Sequence, residues 1–346
     1  MSDKIMERDV QTGIEQAWHG KTNVVKCITR ENSGIVYPME KRPLYLGFEE
    51  DNGERTFNEA GFFTIVSMDD KLPIGNPVGE DYNLISNSDI FDLIENSLGG
   101  TKHVIVSAGS VENRSKVFVS AKLDDSVIKA AGRETENVLN FMFGHGGKMG
   151  VTIRTGITVI VCANTLNMAL SRRGELNLNI KHTKNSAQKI PNIEKAIDAH
   201  IGVTAEFKRA MDEVAGIKAT EADARKIFAG FIGRDQSGKP VDELSTRAEN
   251  TIERLAELFN KGKGNNGDDM ADVFNAFTDY YSHESSGGSD RWKQFVSSEY
   301  GSAGRDKQEA YSLITDPVSL NDERRKLGVK NLQSIKRIGS SLLAMN

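Results

Sequence analysis

Long apolar runs are missing from this chain of 346 residues. No stretch approaches the roughly 18 consecutive apolar residues of a membrane helix, which excludes a helical membrane protein. The opening MSDKIMERDV is charged and has no apolar segment. The sequence therefore predicts neither a secretory signal nor a transit peptide, and a cytoplasmic location. Cysteine is scarce: Cys27 and Cys162 stand far apart and read as two reduced, buried thiols rather than a disulfide framework. No Cys-x-x-Cys or His-x₃-His spacing occurs. A metal site would need His19, Cys27, His145 and Cys162 to converge, so neither metal nor cofactor is expected. No internal repeat is visible at a period of 20–50 residues.

Phosphate-loop signatures are missing as well. In GHGGKMG (144–150) Gly147-Lys148 is followed by Met149, and Met142 stands where the first glycine of a P-loop belongs. The Gly-x-Gly-x-x-Gly pattern started by Gly144 and Gly146 fails at Met149, and a strand follows it instead of a helix. A glycine turn permitting positive φ explains the segment. The other reading is a loop whose His145 and Lys148 touch a nucleic-acid backbone. AWHGK (17–21) offers His19 no local partner for acid–base work, and reads as an anchor with Trp18 buried.

What the chain has is charge, unevenly spread. The hydrophobic share is 38%, the charged share 27% and the net charge −5, a soluble globular composition. Residues 51–100 hold 2 basic against 10 acidic side chains, net −8. Residues 101–190 hold 13 against 6, net +7, and 321–346 hold 6 against 2, net +4. An acidic total can hide a basic stripe. The alternative is an ordinary solvated face.

The first half reads as strands around one helix. GFFTIVSM (61–68) is a strand and 73–86 a Gly/Pro loop. NSDIFDLIENSL (87–98) places Ile90, Phe91, Leu93, Ile94 and Leu98 at helical spacing and ends at Gly99-Gly100. HVIVSAGSV (103–111) and SKVFVSAKL (115–123) flank a polar turn and read as a hairpin. NVLNFMF (137–143) and VTIRTGITVIV (151–161) are further strands. The corner VCANTLNMAL (161–170) is expected to open a helix capped by Asn164 or Thr165. From about residue 185 the pattern turns helical, over 191–216, 220–233, 242–261 and 270–284, with two or three more helices beyond. The expected class is α+β: a curved antiparallel sheet with packed helices over 1–188, then an α-helical C-terminal region over 189–346.

Cations gather in the middle segment. Lys116 and Lys122 share one strand face, opposite Val117, Val119 and Leu123. Arg154 lies on the strand before the corner. Arg172, Arg173, Lys181 and Lys184 follow it, with Glu175 the one acid among them. Such a face suits a groove that tracks a phosphate backbone. Stacking aromatics are few: Phe118, Phe141 and Phe143, of which the last two read as core.

The ordered set AWHGK, YNLISNSDIFDLI, KVFVSAKL, a glycine turn before a strand, VCANTLNMAL, VFNAFTDYYSH (273–283) and YGSAGRDKQEA (300–310) resembles the phage/plasmid-like proteins called domain of unknown function 932. Ala163 stands where that family commonly has Gln. The resemblance implies a phage, prophage or plasmid origin and a cytosolic protein, and spans most of 11–315. By analogy of element order alone, the chain is also similar to ring-forming single-strand annealing proteins.

The leading expectation is a non-enzymatic, homo-oligomeric protein that binds single-stranded DNA, with strand annealing as the finer expectation. Lys116, Lys122, Lys148, Arg154, Arg172, Arg173, Lys181 and Lys184 are its candidate phosphate contacts. The alternative is a structural or interaction protein of a mobile element, with a host or phage protein partner docking on the acidic block. An enzyme lacks a visible nucleophile–base pair.

Overall fold

A computed structural model describes residues 10–12, 23–24, 28–99, 103–111, 113–147, 150–159, 164–169, 193–234, 243–285, 294, 297–298 and 301–315. Ten strands and six helices are described in them. The strands are β1 (Val10–Thr12), β2 (Asn23–Val24), β3 (Met39–Glu49), β4 (Arg55–Ser67), β5 (Pro73–Val78), β6 (His103–Val111), β7 (Lys116–Ala130), β8 (Arg133–Gly144), β9 (Thr152–Val159) and β10 (Asn164–Ala169). The helices are α1 (Asn87–Leu98), α2 (Ile193–Ala215), α3 (Glu221–Ile232), α4 (Thr246–Lys261), α5 (Met270–His283) and α6 (Ser302–Thr315). The class is α+β. No described helix is long and apolar enough to cross a membrane.

One sheet has the order β10-β9-β8-β7-β6-β1-β2 and the other the order β3-β4-β5. β1–β6 and β6–β7 pair antiparallel, whereas β1–β2 pair in parallel. The chain divides into two compact units. Unit 1 is Met1–Ser126, Val138–Thr155 and Ala169–Gly202; unit 2 is Val127–Asn137, Gly156–Met168 and Val203–Asn346.

In unit 1, α1 starts at a capping box. The Ser86 hydroxyl accepts from the Asp89 N–H, and the Asp89 carboxylate accepts from the Ser86 N–H. Ile90, Phe91, Ile94 and Leu98 form its buried stripe. Val117, Val119 and Ala121 of β7 and Leu139, Phe141 and Phe143 of β8 are buried at period two.

In unit 2, the core is largely helical and aromatic. Phe228 meets Phe277 edge-on at 5.0 Å between centroids, and Phe207 stacks on Tyr311 at 5.7 Å. Each buried Phe contributes roughly 1.5–3 kcal/mol. Thr220, Ser245 and Asp269 cap α3, α4 and α5.

Two local expectations are corrected. Asn164–Ala169 is strand β10, not the start of a helix. Its apolar Leu166 and Met168 stand two apart, which is strand spacing, and β9 offers a neighbour for pairing. The loop expected over 73–86 begins with strand β5, which pairs with β4 through Ile65↔Ile74 and Phe63↔Val78.

Candidate functional site

The glycine turn after β8 closes a buried junction in unit 1. A Cβ on Gly75 (φ +72°) would run into the His145 carbonyl, and one on Gly146 (φ +99°) would lie 2.5 Å from the Asn76 nitrogen. Both positions need glycine for backbone approach as well as for φ. His145 is buried, with Nε2 2.7 Å from Asn87 Oδ1, while Asn87 Nδ2 donates to the Ile35 carbonyl at 2.8 Å. Asn87 Oδ1 can only accept, so Nε2 of the ring carries the hydrogen of this bond. The expectation that His145 touches a ligand backbone is corrected: this ring locks α1 to the end of β8.

Beside it, the β6–β7 turn places two non-glycine residues at positive φ, Asn113 (+52°) and Arg114 (+64°). The Arg114 side chain is buried. Nη1 donates to Ser67 Oγ at 2.8 Å and lies 3.3 Å from Asp70 Oδ2, and the guanidinium sits 4.4 Å from the Tyr37 ring centroid. Burial pulls the Asp70 pKa up, but hydrogen bonds from Ser67 and the Leu72 N–H, with the Arg114 charge, leave it below the usual value.

The predicted cations divide. Lys116 and Lys122 do share a face of β7, with Phe118 and Ser120 between them, and Val117, Val119 and Ala121 are buried on the other side. Six residues of strand separate the two lysines by about 20 Å. The Ser120 hydroxyl donates to Asn140 Oδ1 of β8 at 2.6 Å, and Ser107 of β6 lies opposite Ser120. Arg154 is half-buried on β9, between the buried Ile153 and Thr155. Lys116 and Lys122 both have interaction partners. Among described unit 1 residues, β6, β7 from Lys116 to Lys122, β8 from Val138 to Gly144, and β9 to Thr155 contain no carboxylate. Acids resume at Asp124 and Asp125. Part of the face is covered, since Phe118 and Met142 are buried. Lys148, Arg172, Arg173, Lys181 and Lys184, like Cys162, lie outside the described residues.

A second surface was not legible in the sequence. β3 and the first half of β4 form a two-stranded ribbon with Tyr45, Leu46, Phe48, Phe57 and Phe62 at 48–65% exposure. Its apolar residues are consecutive or nearly so and show no alternation.

Three buried polar clusters read as structural. In unit 1, His200 hydrogen-bonds Thr155 Oγ1 through Nδ1 at 3.0 Å, and burial lowers its pKa to about 4. In unit 2, Asp272 Oδ2 accepts from the N–H groups of Asn266, Gly267 and Asp268 at 3.1, 2.8 and 3.2 Å, and Oδ1 pairs with Arg133. Asp268, Asp269 and Asp272 cluster within 4.8 Å. Asp272 uses both of its oxygens, and Asp268 and Asp269 each use one, Asp268 Oδ2 on Lys218 and Asp269 Oδ1 as the cap of α5. Lys307 donates to Ser298 Oγ at 2.7 Å and to Ser282 Oγ at 3.3 Å. That is a serine–amine pair, but exposures of 0–1% at all three residues keep substrate away. No sequence spacing signals these clusters.

Residues 76–318 match the family model described as Domain of unknown function (DUF932). No curated protein and no solved structure matches the chain. The match takes in α1, β6 to β10 and α2 to α6, and leaves β3, β4 and the AWHGK motif outside. It covers well over half of the chain, so the protein belongs to the domain of unknown function 932 family.

Proposed function

We propose that this protein binds single-stranded nucleic acid along the face of unit 1 that carries Lys116 and Lys122, as part of a phage or plasmid system. The observation carrying the reading is compositional and geometric together. In a chain of net charge −5, β7 from Lys116 to Lys122 and β9 to Thr155 bring Lys116, Lys122 and Arg154 beside the hydroxyls of Ser107 and Ser120 and the amide of Asn140, and no acid lies within those segments, Asp124 being the next residue of that parity on β7. Amines and hydroxyls at strand spacing hold phosphates without reading bases. Bases left outward stay open for pairing, and no covalent step is needed. Filter binding of an oligonucleotide at 50 and 200 mM salt tests this. Binding that weakens with salt supports the reading; no binding at 50 mM, or binding indifferent to salt, refutes it.

The exposed aromatics of the β3–β4 ribbon favour a second reading, an interaction protein of a mobile element. A pull-down with and without nuclease separates the two. A partner that survives nuclease favours the interaction reading.

A further inference from the structure

The chain holds two Asn-Gly pairs, Asn52-Gly53 and Asn266-Gly267. Such a pair is open to self-modification, because a glycine without Cβ lets its main-chain nitrogen reach the side-chain amide carbon of the preceding asparagine. Both glycines have positive φ, +80° at Gly53 and +73° at Gly267. Both asparagines are exposed. Neither motif nor exposure separates the pairs. What separates them is the group that each glycine nitrogen meets.

Asn52-Gly53 lies at the tip of the β3–β4 ribbon. The Gly53 N–H donates to the Glu50 carbonyl and the Glu50 N–H to the Glu54 carbonyl, both at 2.8 Å. That is the pattern of a short hairpin loop with glycine in the left-handed region. Residues 49–59 are exposed throughout, and a Cβ on Gly53 would meet nothing within 4 Å. The loop can therefore rearrange without displacing packed atoms. Opening it breaks bonds to neutral carbonyls that water replaces.

The Asn52 amide is held at both ends. Its Oδ1 accepts from the Glu54 N–H at 2.9 Å, and its Nδ2 donates to Glu54 Oε2 at 3.0 Å. A donor on Oδ1 draws electrons from Cγ and stabilises the oxyanion that forms when a nucleophile adds there.

In unit 2 the Gly267 N–H faces a carboxylate instead. It donates to Asp272 Oδ2 at 2.8 Å, between the N–H groups of Asn266 and Asp268 at 3.1 and 3.2 Å. Asp272 is fully buried. An amide nitrogen must lose its proton to attack. Here that loss would set a second negative charge 2.8 Å from the first, away from water. Space is short as well, since a Cβ on Gly267 would lie 2.9 Å from Asn260 Oδ1. The chain beyond is tied down, the Ala219 N–H donating to the Asp268 carbonyl and the Met270 N–H to the Ile217 carbonyl, each at 3.0 Å. At the ribbon tip Glu49, Glu50, Asp51 and Glu54 outnumber Arg55, but these acids are solvated. They oppose proton loss less than a buried carboxylate in direct contact does.

We infer that Asn52 is a site of spontaneous deamidation, at which the Gly53 nitrogen closes a ring on Asn52, whereas Asp272 protects Asn266. Base removes the Gly53 amide proton, and the nitrogen bonds to Asn52 Cγ. The Cγ–Nδ2 bond then breaks and ammonia leaves with a proton, giving a succinimide. Water adds to either imide carbonyl and opens the ring to an aspartyl or an isoaspartyl residue. The net change is one water consumed and one ammonia released. Either product adds a negative charge to the tip, and the isoaspartyl form lengthens the main chain inside the loop. The inference does not depend on the nucleic-acid reading, which the filter assay tests separately.

The experiment holds the full chain in mildly alkaline buffer, folded and in concentrated urea, and maps its peptides by chromatography and mass spectrometry. In the folded chain the peptide carrying Asn52 gains the mass difference between an acid and an amide and splits into two species of equal mass. It reacts more than about tenfold faster than the peptide carrying Asn266. In urea, where Asp272 no longer holds Gly267, the two pairs react at similar rates. Asn52→Gln abolishes the change at the tip, since ring closure through the longer side chain is unfavourable. The inference is overturned if the folded chain keeps Asn52 intact while the unfolded chain reacts, or if folded Asn266 reacts as fast as Asn52. It is overturned as well if the rate ratio persists in urea, because the flanking sequence and not Asp272 would then set it.

Discussion

Arg114 Nη1 and Asp70 Oδ2 lie 3.3 Å apart where the β6–β7 turn reaches the β4–β5 turn. Arg114 holds this contact from a backbone at φ +64°, a region that costs a side-chain-bearing residue about 1–2 kcal/mol. The buried guanidinium, shared between Ser67, Asp70 and the Tyr37 ring, offsets that strain. Arg114→Ala loses the contacts and keeps the strain, for a cost of about 3 kcal/mol. Arg114→Gly loses the same contacts but relaxes φ, and is less destabilised by about 1 kcal/mol. Urea unfolding of both variants checks the order. Equal losses would mean that the backbone carries no strain.

His200 makes stability depend on pH. Its pKa is about 4 folded against 6.5 for an unperturbed imidazole, because burial disfavours the charged ring. The unfolded chain therefore binds the proton first as pH falls. Stability from this group is complete above pH 6.5 and declines between 6.5 and 4. At pH 5 the loss is about 2 kcal/mol relative to pH 7. His200→Asn removes that part of the slope. The check is urea unfolding of both proteins at pH 7 and pH 5. A variant with the full natural slope would contradict the assignment.

Asp272 holds the 264–269 loop with one carboxylate, using three backbone N–H groups and Arg133. Asp272→Ala leaves a buried guanidinium and three donors unpaired, and costs about 4 kcal/mol. Because Arg133 and the loop donors already occupy those oxygens, millimolar magnesium or calcium leaves the natural protein's melting temperature unchanged. Calorimetry with and without the ion reads this directly. A rise of several degrees would make Asp268, Asp269 and Asp272 a metal site after all.

Some of this was open to sequence and some was not. Helix α1 was legible because its cap, apolar stripe and terminal glycine fall within a dozen residues, and each is a local signal. β10 was misread because Leu166, Met168, Ala169 and Leu170 fit a helix face as well as a strand, and only pairing decides between them. The ribbon escaped because a strand exposed on both faces has no reason to alternate. Arg133 and Asp272 are 139 residues apart, so nothing in the chain announces their pairing. The lysine pair on β7 was legible from parity alone. That Ser107 and Asn140 lie beside it depended on which strands are neighbours.

The lysine pair leads to the most direct functional prediction. A lysine that contacts a phosphate releases counterions, and each contact on a single strand adds about 0.7 to the slope of log affinity against log salt. Lys116→Ala and Lys122→Ala together remove two contacts. The slope falls by about 1.4, and affinity for oligonucleotides of different sequence falls alike, because phosphates carry no base identity. Both side chains are partly exposed, so the double variant keeps its fold and melting temperature. A reversed variant, Ser120→Glu, puts an acid between the two amines and weakens binding further. Fluorescence anisotropy across a salt series measures both effects. If the slope is unchanged in the lysine double variant, phosphates are held elsewhere and this face is not the binding surface.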